Sequence, residues 1–230
     1  MILSAKPAEL KSILYGDFMD RHGLAEMLKR YRYIRSPEVE SAFLKVKREK
    51  FVLPEYRRRA YDDTPLPILY GQTISAPSMI AIMLETAALE RGLTVLEVGC
   101  GSGYNAALIA EIVGEENVTT IERIPELADW GRSNLERAGY TITVVVGDGT
   151  LGYPEKAPYH RIISTAAAPR IPQPWVDQLQ TEGLIVCPVG SRHWYQELEV
   201  ARKERDGRLT ISHHGGCAFV PLIGEEGFRQ

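Results

Sequence analysis

The sequence predicts an α/β fold: a mostly parallel central sheet with helices on both faces, helices ahead of it and an antiparallel hairpin at its end. Three observations predict it. Short apolar runs alternate with helical patterns from Leu93 onward, and such alternation builds a parallel sheet. A glycine turn, Gly99-Cys100-Gly101-Ser102-Gly103, joins the first of these runs to a helix. Near the end, Glu197 to Lys203 and Leu209 to Phe219 flank Asp206-Gly207, which reads as a hairpin.

Residues 1–35 carry helix formers with apolar spacing at Leu24, Met27, Leu28 and Tyr31. Ser36-Pro37-Glu38 supplies a cap, a first-turn proline and an early acid, so a helix is expected through Val39, Ala42, Phe43 and Val46. Asp62 to Ala76 is a loop rich in Pro, Gly and Thr, and an apolar helix with Met79, Ile80, Ile82 and Met83 follows Pro77. Strands are expected near 94–98, 118–122, 143–147, 161–165 and 184–189, separated by helices. The chain divides into an N-terminal helical segment with its loop, 1–76, and a core, 77–230, within one compact domain. It holds no internal repeat and no low-complexity segment.

With 230 residues, 44% hydrophobic and 25% charged, the composition is that of an ordinary globular chain. The net charge of −3 gives no basic field to draw in nucleic acid. The basic stretches Lys45 to Lys50 and Arg57-Arg58-Arg59 are local and read as a solvated helix face. Cys100, Cys187 and Cys217 are odd in number and lack metal-ligand spacing, so reduced, structural thiols and no metal are expected. His213-His214 is too little for a metal site. No signal peptide and no apolar run near the ~18 residues of a membrane span is visible, so a soluble cytoplasmic protein is expected, monomeric by default, with no membrane or nucleic-acid partner.

A strand, a glycine turn and a helix together aim backbone N–H groups at a ligand. The dinucleotide fingerprint needs a third glycine where Tyr104 stands, and no Gly-Lys-Ser/Thr follows for a phosphate loop. Acids appear instead: Glu97 before the turn, Glu122 at the end of the next strand, and Asp148 between Gly147 and Gly149 at the end of the third. Taken singly, Gly101 also reads as a packing residue, Glu122 as a solvated acid and Asp148 as a turn former. In register with three strand ends, they suit a ligand carrying an ammonium and a ribose diol but no phosphate, as S-adenosyl-L-methionine does. Gly99, Gly101, Gly103 and Gly149 complete that expected cofactor site.

The loop ahead of Pro77 is the best candidate for a substrate site, although Thr73 and Ser75 before a proline-led helix also read as helix caps. GQTISAP at 71–77, the GCGSG turn and FVPLIGEEGF at 219–228 together resemble the protein-L-isoaspartate (D-aspartate) O-methyltransferase family. The likeness runs from about Ser36 to Phe228 and takes in Arg48-Glu49-Lys50-Phe51-Val52 and Thr165-Ala166-Ala167-Ala168-Pro169. The glycine turn is common to many methyltransferases, whereas GQTIS and FVPL are far more specific. The resemblance implies a Rossmann-like class I S-adenosylmethionine-dependent methyltransferase fold. It also implies methylation of the free carboxyl of L-isoaspartyl and D-aspartyl residues in damaged proteins and peptides, which releases S-adenosyl-L-homocysteine. It makes Ser75 the catalytic residue and puts Thr73, Ile74 and Val220 on the substrate.

The chemistry agrees with that implication. A carboxylate is ionised at neutral pH, so its methylation needs alignment rather than a general base. A neutral hydroxyl can orient it without drawing off its charge. The sequence departs from the family at Tyr159-His160-Arg161, where an acid usually follows the tyrosine, and in its extra residues from Met1 to Asp20. Two other functions fit the αβ core alone: a methyltransferase of a small molecule or RNA, and a non-catalytic S-adenosylmethionine-binding module.

Overall fold

Asp20 caps the first helix among the described residues of the computed structural model, which are 19–192 and 195–229. Its carboxylate accepts from the Gly23 N–H at 2.8 Å, and α1 (Arg21–Arg30) buries Leu24, Ala25 and Leu28. Tyr31, expected on that face, is exposed beyond the helix end. The extra residues from Met1 lie outside the described residues as far as position 18.

Helix α2 (Pro37–Lys45) starts where the sequence places it, with Ser36 Oγ accepting from the Val39 N–H. Glu85 fastens this start to the rest of the molecule by accepting from the N–H groups of Arg35 and Ser36 and from the Ser36 hydroxyl. The Pro- and Gly-rich loop is more ordered than its composition suggests. It folds into a hairpin of β1 (Leu66–Pro67) and β2 (Thr73–Ile74) that leads into α3 (Pro77–Thr86). Buried Leu66 and Ile74 pair across it and anchor it on the core.

The strands and helices follow as β3 (Val95–Val98), α4 (Tyr104–Val113), β4 (Val118–Glu122), α5 (Pro125–Ala138), β5 (Thr143–Val146), β6 (Tyr159–Ser164) and α6 (Gln173–Gln178). They end in β7 (Leu179–Gly190), β8 (Gln196–Lys203) and β9 (Leu209–Cys217). The helix expected between β5 and β6 does not form: only short 3-10 turns, Gly149–Leu151 and Pro154–Lys156, lie there, because Gly149, Gly152, Pro154 and Pro158 break up the segment. The sheet order is β5-β4-β3-β6-β7-β8-β9, parallel as far as β7 and antiparallel thereafter. β3 and β4 are buried along their whole length, as strands covered on both faces must be, and α4 is buried at every residue except Glu111. β9 ends two residues before Phe219 because the Phe219 N–H turns to the Gln196 side chain, 2.6 Å away, instead of the ladder.

Helices α1 to α4 share one apolar cluster, in which Leu24, Phe43, Ile80 and Leu108 all take part. The chain winds outward through β3, β4 and β5 and then returns to β6 on the other side of β3. That reversal leaves a crevice at the carboxyl ends of β3, β4 and β6, where open α/β sheets take ligands.

Candidate active site

A cavity of about 330 Å³ occupies this crevice. Its floor is the glycine turn. Gly99, Gly101 and Gly103 have φ of +96°, +51° and +86°, a region open to glycine and strained for other residues. Gly99 and Gly101 line the cavity, and a Cβ on Gly99 would stand 2.5 Å from Thr165 Oγ1. Gly103 lies behind the turn, where a Cβ would strike Leu135 at 2.8 Å and the Gly131 carbonyl at 3.0 Å. Its need for glycine is one of helix packing, α4 against α5.

Of the three acids expected at the cofactor, Glu122 alone lines the cavity. Its Oε2 accepts from the Gly101 N–H and its Oε1 from the Ile124 N–H, each at 3.1 Å. Glu97 is fully buried beneath the turn, where it accepts from Asn105 Nδ2 at 2.8 Å and from the Thr120 hydroxyl. Burial there pushes its carboxyl up to about 7. Its partner Asn105 reaches the wall, so Glu97 meets the cavity only through Asn105.

Asp148 does not line the wall; its neighbour Gly149 does. The turn-former reading describes this carboxylate. Oδ1 accepts from the Thr150 N–H at 2.9 Å and hydroxyl at 2.7 Å, and Oδ2 accepts from the Glu225 N–H at 2.8 Å. Asp148 therefore ties down the C-terminal segment that carries Val220.

Thr73, Ile74, Ser75 and Val220 line the same cavity as the glycine turn. The helix-cap alternative fails for the two hydroxyls. The cap residue of α3 is Ala76, with no side-chain bond, and the Ser78 N–H goes to Asp63 Oδ1 at 2.8 Å. With capping assigned elsewhere, the loop's hydroxyls are left to the cavity. Val220 is held by its carbonyl, which accepts from the Ala167 N–H at 2.8 Å, and the Leu222 N–H returns to the Ala167 carbonyl at 2.7 Å.

The cavity also uses Arg123, Ile124 and Arg192, which no sequence motif marked, and Ser102, Thr165 and Leu222, which lie in the quoted motifs but were not expected at the site. Arg123 and Ile124 directly follow the strand-end acid, and Thr165 follows β6, so strand ends were a usable signal for them. Arg192 sits between β7 and β8, and only the folded chain brings it here. The basic stretch 45–50 is corrected at one position: Arg48 is buried rather than solvated, because it packs beneath the Ser75 loop. His160, in place of the family's usual acid, lies at the start of β6, the end away from the cavity, with Nδ1 receiving the Thr94 N–H at 3.1 Å.

The residues fit S-adenosylmethionine. Glu122 offers a carboxylate to hydroxyl donors, the turn lets backbone approach closely, and Ile124, Leu127 and Leu222 supply apolar walls. The protein-family model described as protein-L-isoaspartate (D-aspartate) O-methyltransferase matches residues 19–227. The chain belongs to that family. A protein-L-isoaspartate O-methyltransferase of Thermococcus onnurineus is 56% identical over 207 residues, covering 89% of this chain and 94% of the relative. One from Hyperthermus butylicus is 56% identical over 220 residues, covering 91% of each.

Solved structures agree. A protein-L-isoaspartate O-methyltransferase superposes with a TM-score of 0.81 at 30% identity, over 90% of this chain and 67% of that one. A Plasmodium falciparum structure described as a protein of this kind, in complex with S-adenosyl-L-homocysteine, superposes with a TM-score of 0.79 at 26% identity, over 89% and 99%. Among the described residues, no helix is long and apolar enough to cross a membrane.

Proposed function

We infer that this chain is a protein-repair methyltransferase, moving a methyl group from S-adenosyl-L-methionine to the free carboxyl of L-isoaspartyl and D-aspartyl residues in damaged proteins and peptides. The observation that carries the reading is that the GQTIS loop and the glycine turn, both read as family motifs, face one cavity.

When bound, the cofactor supplies an electrophilic methyl group. Glu122 would accept from its ribose hydroxyls, Gly99, Gly101 and Gly149 would let it approach the backbone, and Ile124 and Leu222 would shield it from water. On the other side, Thr73 and Ser75 orient the substrate carboxylate through neutral hydroxyls. Ser75 is the catalytic residue in this sense: it touches the reacting group and neither attacks nor takes a proton. Among the described residues, no histidine lines the cavity to serve as the base that a serine nucleophile would require. Ile74 and Val220 bracket the peptide with apolar surface. Alignment of this kind supplies on the order of 7–11 kcal/mol in favourable cases, enough for a reaction whose nucleophile is already ionised.

The enzyme is read as cytoplasmic and monomeric, without nucleic-acid partners; its three unpaired cysteines suit a reducing compartment. The test is transfer of labelled methyl from S-adenosylmethionine to an isoaspartyl peptide, beside the same peptide with normal aspartate. Base-labile label on the first alone is the expected result. Transfer to neither peptide, with S-adenosylhomocysteine still bound, would overturn the substrate assignment.

A further inference from the structure

Arg48 is fully enclosed, with 0% of its surface exposed. Its Nη2 donates to the Ser75 carbonyl at 2.8 Å, and its guanidinium carbon lies 4.9 Å from the centroid of the Tyr104 ring. Phe51, three residues on, packs against the same ring with centroids 5.6 Å apart. The remaining nitrogens, Nε and Nη1, are buried without a hydrogen-bond partner among the described residues. Desolvation lowers the guanidinium to about 10, which leaves it charged at neutral pH.

Tyr104 and the Asp63 carboxylate offset part of the desolvation. With two nitrogens unpaired among the described residues, the burial of this cation is still an uncertain gain for a core, where apolar side chains are the common choice. What Arg48 does have is position. Tyr104 is the first residue of α4, directly after Gly103 of the cofactor turn, and Ser75 is the catalytic residue of the substrate loop. One planar group touches both.

We propose that Arg48 is a positioning residue for methyl transfer, holding the backbone of the 73–75 loop in register with the cofactor turn through the Ser75 carbonyl and the Tyr104 ring. The proposal rests on the reading of Ser75 given above. Arg48 is outside the cavity wall, so it acts on the substrate only through that loop.

The test compares Arg48→Met, Arg48→Lys, Ser75→Ala and the double variant Arg48→Met/Ser75→Ala. Thermal midpoint, S-adenosylhomocysteine affinity, and kcat and KM for an isoaspartyl peptide are measured on each. Arg48→Met is expected to stay folded, with a midpoint no higher than the parent's because the Ser75 carbonyl loses its donor, to change S-adenosylhomocysteine affinity by less than about 3-fold, and to lower kcat by about 10- to 100-fold. Arg48→Lys is expected to recover part of kcat, because an ammonium can donate to the Ser75 carbonyl but cannot stack as a plane. In the Ser75→Ala background, Arg48→Met should cost less than about 3-fold more.

Full kcat in folded Arg48→Met overturns the proposal, and so do effects of the two single variants that multiply in the double. If Arg48→Met does not fold, Arg48→Lys decides, and full kcat there is fatal. A silent Ser75→Ala sinks the reading of Ser75 and this proposal with it, whereas a silent Arg48→Met beside an impaired Ser75→Ala sinks the role of Arg48 alone.

Discussion

The carboxylate of Glu122 accepts from the N–H of Gly101 at 3.1 Å, so the acid ending β4 and the middle of the glycine turn after β3 form one unit. The unit explains why two features that are ordinary alone make a site together. The turn leaves backbone open to the cavity, and the acid beside it, on the same wall, has lone pairs left for a hydroxyl donor there.

Glu122→Ala is accordingly expected to weaken S-adenosylhomocysteine binding. A pair of hydrogen bonds to an ionised group is worth roughly 2–4 kcal/mol, about 30- to 1,000-fold in affinity. Calorimetry on the folded variant measures it. An unchanged dissociation constant would leave Glu122 as a brace of the turn and nothing more.

A second expectation concerns pH. Burial raises Glu97 to about 7 from its ordinary 4.5, so between those values the folded chain holds a proton that the unfolded chain has released. The contribution of Glu97 to stability is therefore complete below about 4.5 and is lost as pH rises toward 7, by at most about 3 kcal/mol. Other carboxylates have slopes of their own, so the measurement is the difference between the parent and Glu97→Gln, by denaturant titration at pH 4.5 to 8. The parent should lose stability relative to Glu97→Gln across that window. Parallel curves would mean that the carboxyl ionises normally despite its burial.

Much of this architecture was legible in the sequence because its signals are local. Ser36-Pro37 starts α2, Asp206-Gly207 turns the final hairpin, and each strand of the parallel sheet shows as an apolar run. The cavity wall was legible where it is made of backbone turns and strand ends, as at Gly99, Gly101 and Glu122. It was not where a side chain's partner lies far along the chain. Glu97 and Glu122 look alike as strand-end acids, yet one is spent on Asn105 and Thr120 and the other faces the cavity. Asp148 finds Glu225, and Arg48 finds Ser75. A charged residue in a basic stretch carries no local mark that it will be buried.

The attachment of Asp148 to the C-terminal segment gives a third expectation. Asp148→Asn keeps the side chain's shape but loses acceptor strength toward Glu225 and Thr150, loosening the wall that holds Val220. Peptide KM should rise several-fold, while S-adenosylhomocysteine affinity changes less than about 3-fold; a hydrogen bond weakened rather than broken is worth about 1 kcal/mol. Loss of cofactor affinity with an unchanged peptide KM would show that this carboxylate reaches the cofactor after all.

Ser75 provides the sharpest expectation, because the structure separates the two roles its sequence context allows. A capping serine would accept from a backbone N–H in the first turn of α3, and its loss would cost about 1 kcal/mol of stability with turnover per folded molecule intact. Here the cap position belongs to Ala76 and the Ser78 N–H belongs to Asp63, so Ser75→Ala removes no cap. The thermal midpoint should stay close to that of the parent. S-adenosylhomocysteine affinity should also hold, since Ser75 is on the substrate loop and Glu122 is across the cavity on β4. Methyl transfer to an isoaspartyl peptide should fall. One neutral hydrogen bond is worth about 0.5–1.5 kcal/mol in ordinary settings, and a misplaced oxygen that also loses its line of attack extends the loss to about 10²-fold. Ser75→Thr, which keeps the hydroxyl, should retain more activity than Ser75→Ala. Turnover, midpoint and cofactor affinity read on one preparation decide the matter: a folded, cofactor-binding Ser75→Ala with full specific activity would take Ser75 out of the chemistry and leave Thr73 as the loop's orienting hydroxyl.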